Sequence, residues 1–461
     1  MSRPASSPAK LQLEGLPAIH PNAAGIDIGA TEIVVAVPLD RDSEPVRAFR
    51  TFTADLHALV AWLLACRIDT VALESTGVYW VPLYELLEQH GITPFLVNAR
   101  HVKTVPGRKS DWNDAQWLQK LHALGLLQAS FRPDGEIVAL RTLVRYRAEL
   151  IGHRAPHILH MQKALQQMNI QLERVLSDIV GLTGQAIVRA IVAGERDPVS
   201  LAQQRNPACK SSQETIAKAL TGTWKEEFVF VLKQSLILYD AYTVQIAACD
   251  QQIMRTLEAM AGRVTPDAPL PDLPPAKPNS KTKNAPHPQT RAQFARLLEV
   301  DLVAVMGLSA SGVQTIITEI GTDMSRFPSV KHFCSWLGLA PHNDISGGKV
   351  LRSRRLKVVN RAAQALRQAA QSVSRSNSAI GAYYRTMRAR KGPQQATVAT
   401  AHKIARVVYH MLKYGKAYQE ESAEAYEQQR QERELRALER RAKKLGYTLA
   451  QTHESPPTPT P

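Results

Sequence analysis

Between Ala24 and Val97 short apolar runs alternate with stretches of helical period, which restricts this part of the chain to a layered α/β arrangement. Residues 24–37, AGIDIGATEIVVAV, read as a buried strand, a tight glycine turn and a second strand; residues 46–53 offer a third. Leu56, Leu59, Val60, Leu63 and Leu64 recur at helix spacing. Thr70–Leu73 is a short apolar strand ending at Glu74, Tyr79–Gln89 reads as helix, Pro94–Val97 as strand and Asp111–Leu127 as helix.

The rest of the chain has no such alternation. One long helical pattern runs from about Glu136 to Asn169, interrupted at Pro156, and a second from Lys225 to Met260. Two such helices fit an antiparallel coiled-coil arm of the kind used for self-association, and equally a plain helical subdomain. Residues 262–289 hold eight prolines and few apolar side chains, so they are expected to form a flexible linker and the main domain boundary. A mostly helical domain follows to about Tyr418. Within it VMGLSASGVQTIITEIG resembles a helix-hairpin-helix, in which Ser309 and Ser311 read as structural or phosphate-binding. Glu420–Lys444 is a mixed-charge helix, and Gln451–Pro461 is a polar, Pro-rich tail expected to be disordered. The division expected is an extension at 1–21, an α/β domain at 22–135, a helical region at 136–261, the linker at 262–289, a helical domain at 290–419 and a tail at 420–461.

No run approaches the roughly 20 apolar residues of a membrane span, and the first residues lack the apolar core of a signal peptide. Cys66, Cys209, Cys249 and Cys334 show no CxxC spacing, which excludes a zinc knuckle or a redox motif of that type. A cytoplasmic protein without a membrane partner is expected. The net charge is +16, and its placement is informative: residues 345–419 carry sixteen Lys and Arg and no Asp or Glu. Solvated faces mix signs; a block of one sign wants a polyanion, and nucleic acid fits best.

Four acids stand where strands end or helices begin. Asp27 lies in GIDIGAT, Glu74 in ALESTG, and Asp111 and Asp114 in KSDWNDA. Aspartates three apart on a helix share a face. Four carboxylates converging at one sheet edge would repel one another without cations, and hard oxygen ligands suit Mg²⁺ or Mn²⁺. Two such ions would clamp the attacking and leaving oxygens of a phosphodiester. Each acid also has a structural role open to it, Asp27 in a turn and Asp111 or Asp114 at a helix start; spacing alone leaves the two readings level. DIGAT also resembles the phosphate loop of actin-like ATPases and sugar kinases, but the second glycine-rich loop and the adenosine motif of that fold are not found.

Ser346 precedes Gly347 and Gly348, and Lys349, Arg352, Arg354, Arg355, Lys357 and Arg361 follow. A serine on a glycine turn can reach a phosphate, and neighbouring cations would hold it. Serine needs activation, and no His–Asp partner is nearby, which leaves the metal site as the expected activator. An isolated SGG is ordinarily only a turn. Ser353 is a rival serine. His153, His157 and His160 share one helix face and read as basic surface before metal ligands; Trp112 and Trp117 read as core.

GIDIGAT, ALESTGVYW, NARHVK with GRKSDWNDAQWL, and GLAP…SGG…R occur in that order in transposases of the insertion sequence 110 family, which the chain resembles over roughly 22–419. The resemblance implies a RuvC-like (RNase H-like) N-terminal domain with a DEDD tetrad, a coiled coil, and a C-terminal transposase domain with a catalytic serine. It places the tetrad at Asp27, Glu74, Asp111 and Asp114, and the nucleophile at Ser346. It further implies recombination of donor and target DNA through a 5′-phosphoserine, a noncoding bridge RNA as guide, tetramers with composite sites, and a bacterial, nucleoid-associated setting. The extension of about twenty residues, the Pro-rich segment and the GGKVLRS that follows the serine depart from shorter members. A junction-resolving nuclease in which Ser346 is structural, and a noncatalytic nucleic-acid-binding protein, are the alternatives.

Overall fold

Strand β1 (Ala23–Ile28) turns back into β2 (Glu32–Ala36) through a corner that only glycine fits: the Gly29 N–H donates to Glu32 O at 2.9 Å, and a Cβ there would lie 2.8 Å from that oxygen. The protein is described by a computed structural model over residues 16–75, 77–98, 114–264, 273–274, 284–355 and 360–450, with backbone alone at 261–264, 342 and 353–355. It divides into two units, Met1–Arg132 and Pro133–Pro461.

In the first unit β3 (Val46–Arg50), β4 (Thr70–Glu74) and β5 (Thr93–Val97) complete a sheet of order β3-β2-β1-β4-β5. β2 is antiparallel to both β1 and β3, while β4 and β5 run parallel to β1. Side chains alternate between the faces of a strand. Ala24, Ile26, Val71 and Leu73 therefore share one face, packed with Leu59 and Leu63 of α1 (Thr53–Ala65) and Leu83 and Leu87 of α2 (Trp80–Gln89). Ala72 and Val97 on the other face pack with Trp117, Leu118 and Leu121 of α3 (Asp114–Ala123). Burial on both sides explains why these strands read as continuous apolar runs. Of the expected N-terminal extension, residues 1–15 lie outside the described residues, whereas Ile19 and His20 both donate backbone N–H groups to Ala123 O, at 2.8 and 3.0 Å.

The second unit is built on α4 (Gly135–Gln167) and α5 (Glu226–Val264), which pack on each other. Arg147 of α4 donates twice to Asp250 of α5, at 2.6 and 3.0 Å. The break expected at Pro156 does not occur: α4 runs through it unbroken, and the proline is exposed. The expected linker is also corrected at its ends. Helix α5 continues to Val264, and the far end is fastened where Arg147 donates to Asn284 O (3.2 Å) and Ala285 O (2.9 Å) and Arg154 to Asn284 Oδ1 (2.6 Å). Residues 265–272 and 275–283 lie outside the described residues.

Beyond it come α6 (Thr290–Leu298), α7 (Ala310–Ile320) and α8 (Val330–Trp336). The hairpin β6 (Pro341–Ser346) and β7 (Lys349–Arg355) follows, then α9 (Arg361–Ser372), α10 (Ala379–Lys391), α11 (Pro393–Tyr414) and α12 (Ala423–Lys444). The domain is mostly helical, as expected, and the hairpin is its one sheet among the described residues. Before α7 stands a three-residue 3-10 turn, Leu302–Ala304, in place of the first helix of a helix-hairpin-helix. Ser309 caps α7, its hydroxyl accepting from Gly312 N at 3.1 Å, so that serine is structural. Among the described residues no helix is long and apolar enough to cross a membrane.

Candidate active site

The pairing of β1 with β4 sets Ile26 beside Leu73, so one residue further Asp27 and Glu74 stand side by side where two parallel strands end. Period-two alternation puts Asp27 on the face of Gly25 and Glu74 on the face of Ala72, the face covered by α3. Three contacts fix the direction of that helix. A Cβ on Gly25 would lie 2.2 Å from both Ala115 O and Gln119 N, so α3 rests directly on the backbone of β1. Gln119 Nε2 donates to Ala23 O at 3.2 Å, and His122 Nε2 lies 2.8 Å from Thr70 Oγ1, at the start of β4. Helix α3 therefore runs against the strands, and its first residue, Asp114, lies at the end where Asp27 and Glu74 stand. Asp27 and Glu74 are half-buried and Asp114 is exposed. Asp111 lies outside the described residues. Register and helix direction thus bring three of the four acids to one end of one face. Among the described residues no three His, Cys, Asp or Glu side chains are close enough together to form a metal site.

Ser346 ends β6, paired with Lys349 across Gly347 and Gly348. Both glycines have positive φ, 54° and 75°, as a two-residue turn of type I′ demands, and nothing stands within 4 Å of either Cβ position. Cross-strand partners share a face at Cβ separations of about 5 Å, which makes Lys349 the cation next to the serine hydroxyl. Both residues are exposed, as are Arg352 and, at the first turn of α9, Arg361. For Arg354 and Arg355 the structure gives the backbone in β7, and Lys357 lies outside the described residues. The apolar members of the ribbon are exposed too: Ile345 by 63%, Val350 by 55% and Leu351 by 71%.

Other candidates resolve as structure. His153 and His157 stack on Tyr242, at 6.1 and 5.5 Å between ring centroids, and burial pushes the His157 imidazole below its ordinary range. Trp117 is core, and Trp112 lies outside the described residues. Cys66, Cys249 and Cys334 are buried free thiols, and burial pushes Cys334 up to about 11, a range in which a thiol is inert. Sequence reasoning missed Gly25. Its signal was a glycine inside a strand, which marks close backbone approach.

Two family comparisons cover half of the chain. A DEDD transposase model of IS110, described as "Transposase", matches residues 24–170, which include Asp27, Glu74, Asp111 and Asp114. A second, "Transposase IS116/IS110/IS902 family", matches residues 302–385, which include Ser346 and the whole ribbon. The chain belongs to the IS110 family of transposases. It is an enzyme that cuts and rejoins DNA. No curated protein matches the chain.

Proposed function

We propose that the chain is a serine recombinase on a RuvC-like, RNase H-like scaffold, mobilising its insertion sequence under the guidance of a bridge RNA. The observation that carries the reading is the placement of Asp27, Glu74 and Asp114 at one end of one face of a β3-β2-β1-β4-β5 sheet. The domain at 22–135 holds the acids, the helices of 136–261 form the arm between copies, and 290–419 delivers the serine. The acids supply only oxygen donors, and two end neighbouring strands, a set that fits Mg²⁺ or Mn²⁺ held by Asp27, Glu74, Asp111 and Asp114. Bound there, a divalent cation supplies stabilisation of charge on the phosphodiester oxygens.

In this reading the chain's own residues do the rest. Ser346 Oγ attacks phosphorus, forming a 5′-phosphoserine; its proton is released, and the 3′-oxygen leaves and takes a proton. The reverse attack by a 3′-hydroxyl of the other strand restores the serine, so no water enters. Lys349 holds a non-bridging phosphate oxygen beside the serine, while Arg352, Arg354, Arg355, Lys357 and Arg361 hold flanking phosphates. Arg361 sits at a helix N-terminus, where a cation is locally unfavourable, so its charge serves something other than its own helix.

The test is trapping. Incubated with DNA carrying the element's ends, wild-type chain is expected to form a denaturant-stable protein–DNA adduct mapping to Ser346, and Ser346→Ala none. A Ser346→Ala chain that still cleaves would make this a metal-dependent junction nuclease instead. If the acids and the serine come from different copies, mixing Asp27→Ala with Ser346→Ala chains recovers part of the activity that neither shows alone. RNA copurifying with the chain and folding into a stem with two internal loops supports the guide; its absence from active preparations removes the guide from the proposal.

A further inference from the structure

Immediately beyond Glu74 the first unit presents an apolar step that its own core does not use. Val78 is 72% exposed and Tyr79 51% exposed, and the nearby Pro82 is exposed as well. Exposed aliphatic residues scattered singly need no explanation, but an exposed aromatic ring five residues beyond Glu74 does. The turn is held from beneath. Trp80 Nε1 donates to Gly77 O at 3.2 Å, and Val81 N donates to Val78 O at 3.2 Å. Gly77 has φ of +58°, and the edge of the Tyr79 ring lies 3.5 Å from where its Cβ would be. Trp80 is committed inward. Its ring meets Tyr84 edge-on at 5.5 Å, and the Arg132 guanidinium lies 5.6 Å above it, itself paired with Glu85. The alternation of Trp80 inward and Tyr79 outward thus gives the turn one anchor and one ring facing solvent.

We infer that Tyr79, with Val78 at its edge, is a stacking platform for one unpaired nucleobase of the DNA strand held at the acids. The inference rests on the reading of Asp27 and Glu74 as the metal-binding acids. Tyr79 follows Glu74 by five residues, so their Cα atoms stand within about 17 Å of each other even at full extension, a span of a few nucleotides. A strand whose phosphate is held at Glu74 therefore passes within reach of the ring. Every base has a π-face, so such a platform serves without sequence preference, as an enzyme that delegates sequence to pairing requires.

The experiment is photo-cross-linking of the full chain to single-stranded DNA in which thymine is replaced by 5-iodouracil, which cross-links to aromatic rings stacked on it. The expected cross-link maps to Tyr79. Tyr79→Ala removes it and weakens binding of that DNA about tenfold, while Tyr79→Phe retains both because the ring does the stacking. Four results overturn the inference: no cross-link at Tyr79; a Phe variant as weak as Ala; cross-linking to the matching 5-iodouracil RNA in preference to DNA; or a Tyr79→Ala chain that changes oligomeric mass with unaltered DNA binding. Cross-linking needs no cleavage, so it stands apart from the acid reading. That reading fails if Glu74→Ala cleaves normally; the stacking inference alone fails if Glu74→Ala is dead and Tyr79 does not cross-link.

Discussion

The acids and the serine are supported in opposite ways. Asp27 and Glu74 end two inner strands of a five-stranded sheet with helices on both faces, and their positions follow from hydrogen-bond register and from a helix resting on bare backbone at Gly25. Ser346 ends a two-stranded ribbon whose apolar residues face solvent, and an isolated ribbon of this size is marginal in water. Asp27 and Glu74 are positioned by the fold itself. Ser346 has little of its own to hold it in place, so its working geometry must come from what it binds. In the proposed function the acids would gain rate from fixed geometry, and a serine ordered only on the correct DNA would gain discrimination.

The contrast can be broken by substitution. Asp27→Ala and Glu74→Ala are expected to lower strand cleavage by more than about a hundredfold, the upper range lost even with outer-shell partners of metal ligands, with melting temperature unchanged or raised. A cleavage assay beside a thermal melt checks this, and a large fall in melting temperature would show the acids to be structural. Gly25→Val should act in the reverse order. Its side chain collides with Ala115 and Gln119 backbone atoms, costing about 1–3 kcal/mol or more, so the first unit loses stability and activity together. On the ribbon, Lys349→Ala should weaken DNA binding several-fold and reduce the slope of log affinity against log salt by about one, while melting stays constant; an unchanged slope would take Lys349 off the phosphate.

The smallest effect concerns pH. Burial pushes His122 down to about 4 from an ordinary value of 6.5, so the folded chain holds it neutral. Above 6.5 both folded and unfolded forms are neutral and nothing is lost. As pH falls from 6.5 toward 4 the unfolded chain takes up a proton that the folded chain refuses, and stability declines. Denaturant titrations of wild type and His122→Gln should differ in slope across that window and run parallel above it.

Much of the first unit was legible because its strands are buried on two sides and leave continuous apolar runs, while α1 repeats at helical spacing. The register that sets Asp27 beside Glu74 was not legible, since it depends on which strands pair. The ribbon went unread because HNDIS and KVLRSRR carry neither alternation nor a buried face; only the two glycines, read as a turn, gave its position. Pro156 misled because a local proline rule carries no weight for the packing of α4 along α5, which holds the helix through it. Composition likewise marked 262–289 as unable to bury apolar surface, and was silent about the arginines that bond its carbonyls, Arg147 at Asn284 and Ala285 and Arg291 at Pro274.

Those arginines have a consequence for the chain's connectivity. Val264 and Asn284 both belong to the second unit, so the proline-rich stretch leaves and re-enters the same body, and the seam between units falls at Arg132 and Pro133 instead. A segment closed in this way acts as an insertion whose entropic cost grows only logarithmically, about 0.6 kcal/mol for each doubling of length. Changing its length while keeping Pro274, whose carbonyl Arg291 holds at 2.8 Å, should leave the melting temperature of the second unit nearly where it was.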